Sequence, residues 1–196
     1  MRNSFVFLAD GFEDIEAITV IDVPRRAGMP VKTVSITPSL QVKSAHGNIL
    51  TADLLFDATH FTDPEWLILP GGMPGSTNLY EFAPLAGLLS RQLSSASGKV
   101  AAICAAPAVV LGQLGLLEGR KATCYPGFED LCKGAEMMDA PVVVNDRMVL
   151  GNGPANALIW ALAIVRESLG DQASVAVANG MLYYPNQAQI CDYNFG

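Results

Sequence analysis

The sequence predicts an α/β domain built on a mostly parallel sheet with helices on both faces, and three observations carry that prediction. Short β-rich runs alternate with stretches of helical spacing from one end of the chain to the other. The length of 196 residues and the 51% hydrophobic composition suit a single large core, so no second domain is expected within residues 1–196. An apolar strand, Val100 to Ile103, runs into Cys104 and then directly into Ala105-Ala106-Pro107 and a helical pattern, which is a sharp strand-to-helix turn.

The elements follow in order. Phe5 to Ala9 reads as a strand, Glu13 to Ala27 as a helix, Val31 to Ile36 as a strand, and Val42 to Thr51 as a hairpin with His46-Gly47 inside it. Trp66 to Leu69 is a strand and Pro84 to Leu93 a helix. Val100 to Ile103 leads through the Cys104 turn into a helix that continues to Leu114. A strand is expected at Ala122 to Cys124. Val142 to Val144 and Met148 to Leu150 form a second hairpin around the turn pair Asn145-Asp146, and a helix spans Ala155 to Ser168. The tail from Tyr183 to Gly196 is irregular, with aromatics suited to packing on a neighbour.

Composition narrows the function classes. Twelve Lys and Arg against nineteen Asp and Glu give a net charge of -7, which disfavours an electrostatically held nucleic acid or an anionic membrane. A small-molecule or protein partner fits better. No apolar stretch is long and unbroken enough to span a bilayer. The four cysteines, Cys104, Cys124, Cys132 and Cys191, lack CxxC spacing, and Met1-Arg2-Asn3-Ser4 leads straight into a strand, so a reduced cytoplasm is the expected setting. Two separated histidines and scattered thiols make no metal-ligand cluster, and Gly71-Gly72 comes without a GxGxxG pattern or a Walker-type lysine. No metal and no cofactor are expected.

In an open parallel sheet the site forms at the carboxyl ends of the strands, so the loops there are where chemistry is sought. Three stand out. Asp10-Gly11-Phe12-Glu13-Asp14-Ile15-Glu16 opens the first helix, and the three-residue spacing of Glu13 and Glu16 allows both to face the crevice. Pro70-Gly71-Gly72-Met73-Pro74-Gly75 lets backbone N–H groups approach a ligand closely. At the Cys104 turn, the first helical N–H groups and the positive end of the dipole favour a thiolate. Together the loops supply a nucleophile, a carboxylate neighbour and anion donors.

Ala9-Asp10-Gly11-Phe12-Glu13-Asp14-Ile15-Glu16, Leu69-Pro70-Gly71-Gly72, Ala101-Ala102-Ile103-Cys104-Ala105-Ala106-Pro107 and Gly151-Asn152-Gly153-Pro154-Ala155 resemble, in unbroken order, the signatures of the ThiJ/PfpI superfamily. Within it, the similarity is to the branch of the parkinsonism-associated protein deglycase and runs from about Ser4 to about Tyr184. The resemblance implies a flavodoxin-like three-layer sandwich, usually dimeric, with Cys104 as nucleophile and Glu16 hydrogen-bonded to its sulfur. It also implies an oxyanion hole from the N–H groups of Gly72 and Ala105. The family's activity is attributed to reactive dicarbonyls such as methylglyoxal and to their early adducts with protein or nucleotide amines.

Elementary chemistry is consistent with that implication. A carboxyl beside a thiolate in a half-buried crevice tends to keep its proton, because adjacent anions repel and desolvation disfavours charge. Glu16 would then donate to the sulfur while Cys104 attacks an aldehyde carbon. One departure matters: where several family members carry a histidine near the nucleophile, Tyr125 stands in Thr123-Cys124-Tyr125-Pro126. That disfavours a Cys-His-Asp protease or amidase and leaves Tyr125 as a weak candidate for proton transfer. His60 reads as a surface loop residue, and His46 as a polar hairpin tip that could instead reach a neighbouring subunit.

Plainer readings exist for the other candidates. Cys124 fits a strand end and also a second redox thiol near Cys104, whereas Cys132 fits packing on a short helix. Glu13 and Asp14 suit a helix N-terminus by charge alone, and Gly151 to Pro154 suits a turn with Pro154 near a helix start. Two function classes remain open. One is a cofactor-free cysteine enzyme acting on dicarbonyls or glycated amines, as a homodimer. The other is a redox-sensing protective protein in which Cys104 is oxidised to sulfinate.

Overall fold

A computed structural model describes residues 1–183 of the chain. Its strands are β1 (Ser4–Leu8), β2 (Val31–Ser35), β3 (Gln41–Lys43), β4 (Ile49–Thr51), β5 (Leu54–Leu55), β6 (Trp66–Leu69), β7 (Lys99–Ile103), β8 (Lys121–Ala122), β9 (Glu136–Met137), β10 (Val142–Asn145) and β11 (Met148–Gly151). The helices are α1 (Asp14–Arg26), α2 (Gly75–Glu81), α3 (Ala83–Ser94), α4 (Ala157–Leu169) and α5 (Asp171–Gly180). Apart from Tyr183 itself, the tail read as irregular lies outside the described residues, as does Cys191.

Seven strands form one sheet in the order β10-β11-β7-β6-β1-β2-β5, parallel throughout except for the antiparallel β10–β11 hairpin at one edge. The central strands β1 and β6 are buried along their whole length, which is why they read as continuous apolar runs rather than alternating ones. Alternate residues feed two cores. Val6, Leu8, Ile68, Ala101 and Ile103 pack beneath α1 and α4, while Phe5, Phe7, Leu67, Leu69, Val100 and Ala102 pack towards α3 on the other face. The fully buried Trp160 indole donates to Val149 O at 2.9 Å, and that of Trp66 donates to Ser168 Oγ at 2.7 Å, so neither ring is buried at the expense of an orphaned N–H. The expected α/β architecture, mostly parallel with flanking helices, is the observed one.

Several element readings change. Cys124 lies beyond β8, which pairs with β9 in a separate two-stranded sheet rather than joining the main one. Between Pro107 and Gly112 the helix after β7 is wound wide, with Gln113 N–H reaching Ala108 O at 3.2 Å and Leu116 N–H reaching Leu111 O at 2.9 Å, each five residues back. Helix α2 occupies part of the glycine-rich stretch read as loop. Helix α5 follows α4 after a break at Gly170, whose φ of 86° an L side chain rarely adopts. Among the described residues no helix is long and apolar enough to cross a membrane.

Candidate active site

Three adjacent strands end at one point. β1 leads into α1 and Glu16, β6 into the Gly71-Gly72 loop, and β7 into Cys104, and the parallel pairing of β6 with both β1 and β7 aligns their carboxyl ends. The first two loops are pressed together: Glu13 N–H donates to Gly71 O at 3.0 Å and Gly75 N–H to Gly11 O at 3.2 Å. Glycine is required there. A Cβ on Gly72, at φ 93°, would lie 2.4 Å from Glu13 N, and one on Gly71 would lie 2.6 Å from Cys104 Cβ and 2.8 Å from Glu16 Oε2.

Glu13 is the N-cap of α1. Its carboxylate accepts the Glu16 N–H at 2.8 Å, so Glu13 holds the helix start instead of pointing into the crevice with Glu16 as the three-residue spacing allowed. Capping at that position orients the first turn and sends the Glu16 side chain inward. Glu16 is fully buried. Its Oε2 accepts the Gly71 N–H at 2.8 Å, while Oε1 has no hydrogen-bond partner among the described residues, and the carboxyl lies beside Cys104, since the position of a Cβ on Gly71 would touch both.

Cys104 sits at the elbow with φ 63°, in the left-handed region that a non-glycine residue occupies only when its surroundings impose it. Its N–H donates to Gly151 O at 2.9 Å and its carbonyl accepts from Tyr125 N–H at 2.7 Å, which clamps the residue from both sides. Gly151 thus supports the elbow through its carbonyl. Gly72 and Ala105, whose amides are the two expected to form an anion hole, line one cavity with Cys104, and those amides favour its ionised form. Cys104, Glu16, Gly72 and Ala105 are therefore brought together as the sequence led one to expect.

The electrostatics correct one expectation. Burial pushes the Glu16 carboxyl up to about 7; the hydrogen bonds from Gly71 and Cys104 oppose the rise and the Glu13 charge adds to it. Burial also pushes the Cys104 thiol up to about 12, helped by the Glu16 charge and hydrogen bond and opposed by the Gly72 and Ala105 amides. At 8% exposure, desolvation outweighs the elbow's donors, so the turn does not yield a free thiolate beside an ionised carboxylate. The two groups titrate as a unit that loses its first proton near 7 and retains the second well into the alkaline range.

Tyr125 joins the site at its mouth. With Gly72, Met73, Cys104, Ala105 and Phe128 it lines a cavity of about 160 Å³, and its ring meets Phe128 edge-on at 6.3 Å. Met73 and Phe128 were not expected to take part. Met73 lay within a loop already singled out, whereas Phe128 is delivered by the fold-back of the chain after Tyr125, which no periodicity signals. Neither histidine lines this cavity. His46 Nδ1 lies 3.1 Å from Asp14 Oδ2, and Asn48 Nδ2 donates to Asp14 Oδ1 at 2.8 Å, so the hairpin tip is tied to the start of α1 in the same chain. His60 is exposed on a short turn beside Phe61.

The model for the DJ-1/PfpI family matches residues 3–167. The chain belongs to this family. It is 35% identical over 187 residues to protein DJ-1 homolog B of Arabidopsis thaliana, covering 94% of this chain and 42% of that protein. A deglycase of Pyrococcus horikoshii is 33% identical over 161 residues, covering 81% of this chain and 94% of the relative. The chain spans about half the length of the Arabidopsis relatives it matches. Among solved structures, oxidised DJ-1 of Toxoplasma gondii superposes with a TM-score of 0.89 at 33% identity over 93% of this chain and 99% of that one. The similarity to the family thus spans β1 through α4, the segment that supplies Cys104, Glu16, Gly72, Ala105 and Tyr125.

Proposed function

We propose that this DJ-1/PfpI member is a cofactor-free cysteine enzyme that acts on reactive dicarbonyls such as methylglyoxal, or on their early adducts with amines. The observation that carries the reading is a single sulfur at the elbow, beside the buried Glu16 carboxyl and between Gly72 and Ala105, at a small apolar cavity that neither histidine lines. A deglycase among the relatives supports it.

In this mechanism the reactive form of the pair carries its one proton on Glu16 and leaves Cys104 as thiolate. The sulfur attacks the aldehyde carbon to give a hemithioacetal, whose oxygen lies within reach of the Gly72 and Ala105 amides and takes the proton from Glu16, leaving Glu16 as a carboxylate. Glu16 then moves the proton from that carbon to the neighbouring carbonyl carbon through an enediol, leaving a thioester of the 2-hydroxy acid. Water cleaves the thioester and restores the thiol. One dicarbonyl and one water give one 2-hydroxy acid, with no net oxidation. The cavity volume suits a three-carbon dicarbonyl, and the exposed Tyr125 at the mouth leaves room for a larger amine to remain outside.

Purified protein incubated with methylglyoxal is expected to form lactate, and Cys104→Ala to reduce the rate to the background of buffer. Wild type no faster than that variant would refute the enzyme reading. A second reading is favoured by the same two amides, which suit the oxygens of a cysteine sulfinate: mild peroxide would then add two oxygens to Cys104 selectively, as seen by peptide mass. In either role the chain works as a homodimer, in a compartment reducing enough to keep its thiols free.

A further inference from the structure

The cavity over Cys104 has no charged side chain in its wall. Gly72, Met73, Cys104, Ala105, Tyr125 and Phe128 line it, and Glu16, fully buried, is not part of that lining. Two of the lining side chains are large, apolar in most of their surface and half exposed: Met73 at 47% and Tyr125 at 45%. The aromatic pair is held in place. Tyr125 N–H donates to Cys104 O at 2.7 Å, Phe128 N–H to Tyr125 O at 3.3 Å, and Gly127 N–H to Glu129 Oε2 at 2.7 Å. The Tyr125 ring lies against Gly153, where a Cβ would stand 3.6 Å from Tyr125 Cδ2. An aromatic side chain exposed on an anchored loop is a standing apolar surface, which gains by meeting an apolar ligand. Because Tyr125 stands where several family members carry a histidine, that surface belongs to this chain's own residues.

We propose that Met73, Tyr125 and Phe128 are specificity-determining residues that select dicarbonyls bearing a neutral apolar substituent, arylglyoxals above methylglyoxal, and reject those bearing a carboxylate. The proposal deepens the dicarbonyl reading and rests on it for turnover. With the aldehyde carbon at the Cys104 sulfur, a cavity of about 160 Å³ takes the two carbonyl carbons, and the substituent is carried towards the exposed Met73 and Tyr125 side chains. A phenyl group there meets aromatic rings and a polarizable thioether, both of which favour it beyond the area covered. The Tyr125 and Phe128 rings already meet edge-on, with centroids 6.3 Å apart and planes 76° to each other, so one more ring extends an existing aromatic cluster. A carboxylate in the same place would lose water with no cation in the lining to pair it, in a chain of net charge -7. A polyhydroxylated, sugar-like substituent would likewise exchange water for apolar surface.

The test compares methylglyoxal, phenylglyoxal and para-carboxyphenylglyoxal as substrates of the full chain, with Cys104→Ala as background. Phenylglyoxal is expected to show a KM about tenfold below that of methylglyoxal, and the carboxylated ring to lose that advantage. Tyr125→Ser is expected to shrink the ratio of kcat/KM for phenylglyoxal over methylglyoxal several-fold, chiefly through KM. Tyr125→Phe is expected to keep the ratio, since the ring and not the hydroxyl makes the surface. A second arm needs no turnover: Cys104 is alkylated with iodoacetanilide, iodoacetamide and iodoacetate, each rate divided by that reagent's rate with mercaptoethanol. The expected order is anilide, amide, acetate, fastest first. If that order holds while no dicarbonyl is turned over, the enzyme reading falls and the apolar selection stands. Equal KM values for methylglyoxal and phenylglyoxal, equal turnover of the carboxylated ring, a wild-type ratio in Tyr125→Ser, or iodoacetate level with the anilide would overturn the proposal.

Discussion

At the residue scale, the proposed function depends on where one proton resides. Glu16 is fully buried, and its carboxyl rises from 4.5 to about 7 chiefly through desolvation. A carboxyl raised on folding favours the native state when protonated. That stability is fully present below the unfolded value of 4.5 and is lost as pH rises through about 7. Such a rise corresponds to about 3 kcal/mol. Chemical denaturation of wild type and Glu16→Gln at both ends of that window should show wild type losing stability relative to the variant by this order as pH increases. A difference that does not change with pH would place the Glu16 charge elsewhere than in the buried pair.

At the element scale, the site depends on the first turn of α1 and on two glycine loops in contact. Glu13 caps the helix through the Glu16 N–H, so Glu13→Ala is expected to destabilise the fold by about 1 kcal/mol in denaturant titrations and to lower turnover further by loosening Glu16. Unchanged stability would mean the cap contributes nothing. Much at this level was legible in the sequence. The apolar run into Cys104, both hairpins and the positions of the main strands along the chain follow from hydrophobic pattern and turn residues, and Gly71-Gly72 was already marked as a close backbone approach. What escaped has physical causes. Leu54–Leu55 is too short to show a period, and α2 begins in a Gly-Pro stretch that local propensity reads as loop. The wide winding after Pro107 is a product of tertiary packing. The rise of the Cys104 thiol escaped for the same reason, since a turn and a helix dipole can be read from sequence while the depth of burial cannot.

At the scale of the whole molecule, α1 and the β3–β4 hairpin share an exposed apolar surface. Ile15 and Ile18, three apart on α1, are 56% and 49% exposed, and Ile49 on β4 is 65% exposed; the Asn48–Asp14 hydrogen bond ties the hairpin to that end of the helix. A two-fold contact would cover these residues. Light scattering on the eluting protein is therefore expected to give about twice the chain mass of 20.8 kDa, and a mass of one chain would contradict the dimer. The sheet itself serves the site by bringing the ends of β1, β6 and β7 to one point, where Glu16, Gly72 and Cys104 meet and are proposed to act as a unit. Whether they do so is read most directly from the pH dependence of Cys104 alkylation. A shared proton predicts a step near 7 in wild type, where the pair loses its first proton, and a move of that step to higher pH in Glu16→Gln. A single wild-type step at the ordinary thiol value of about 8.5, unmoved by Glu16→Gln, would contradict the account.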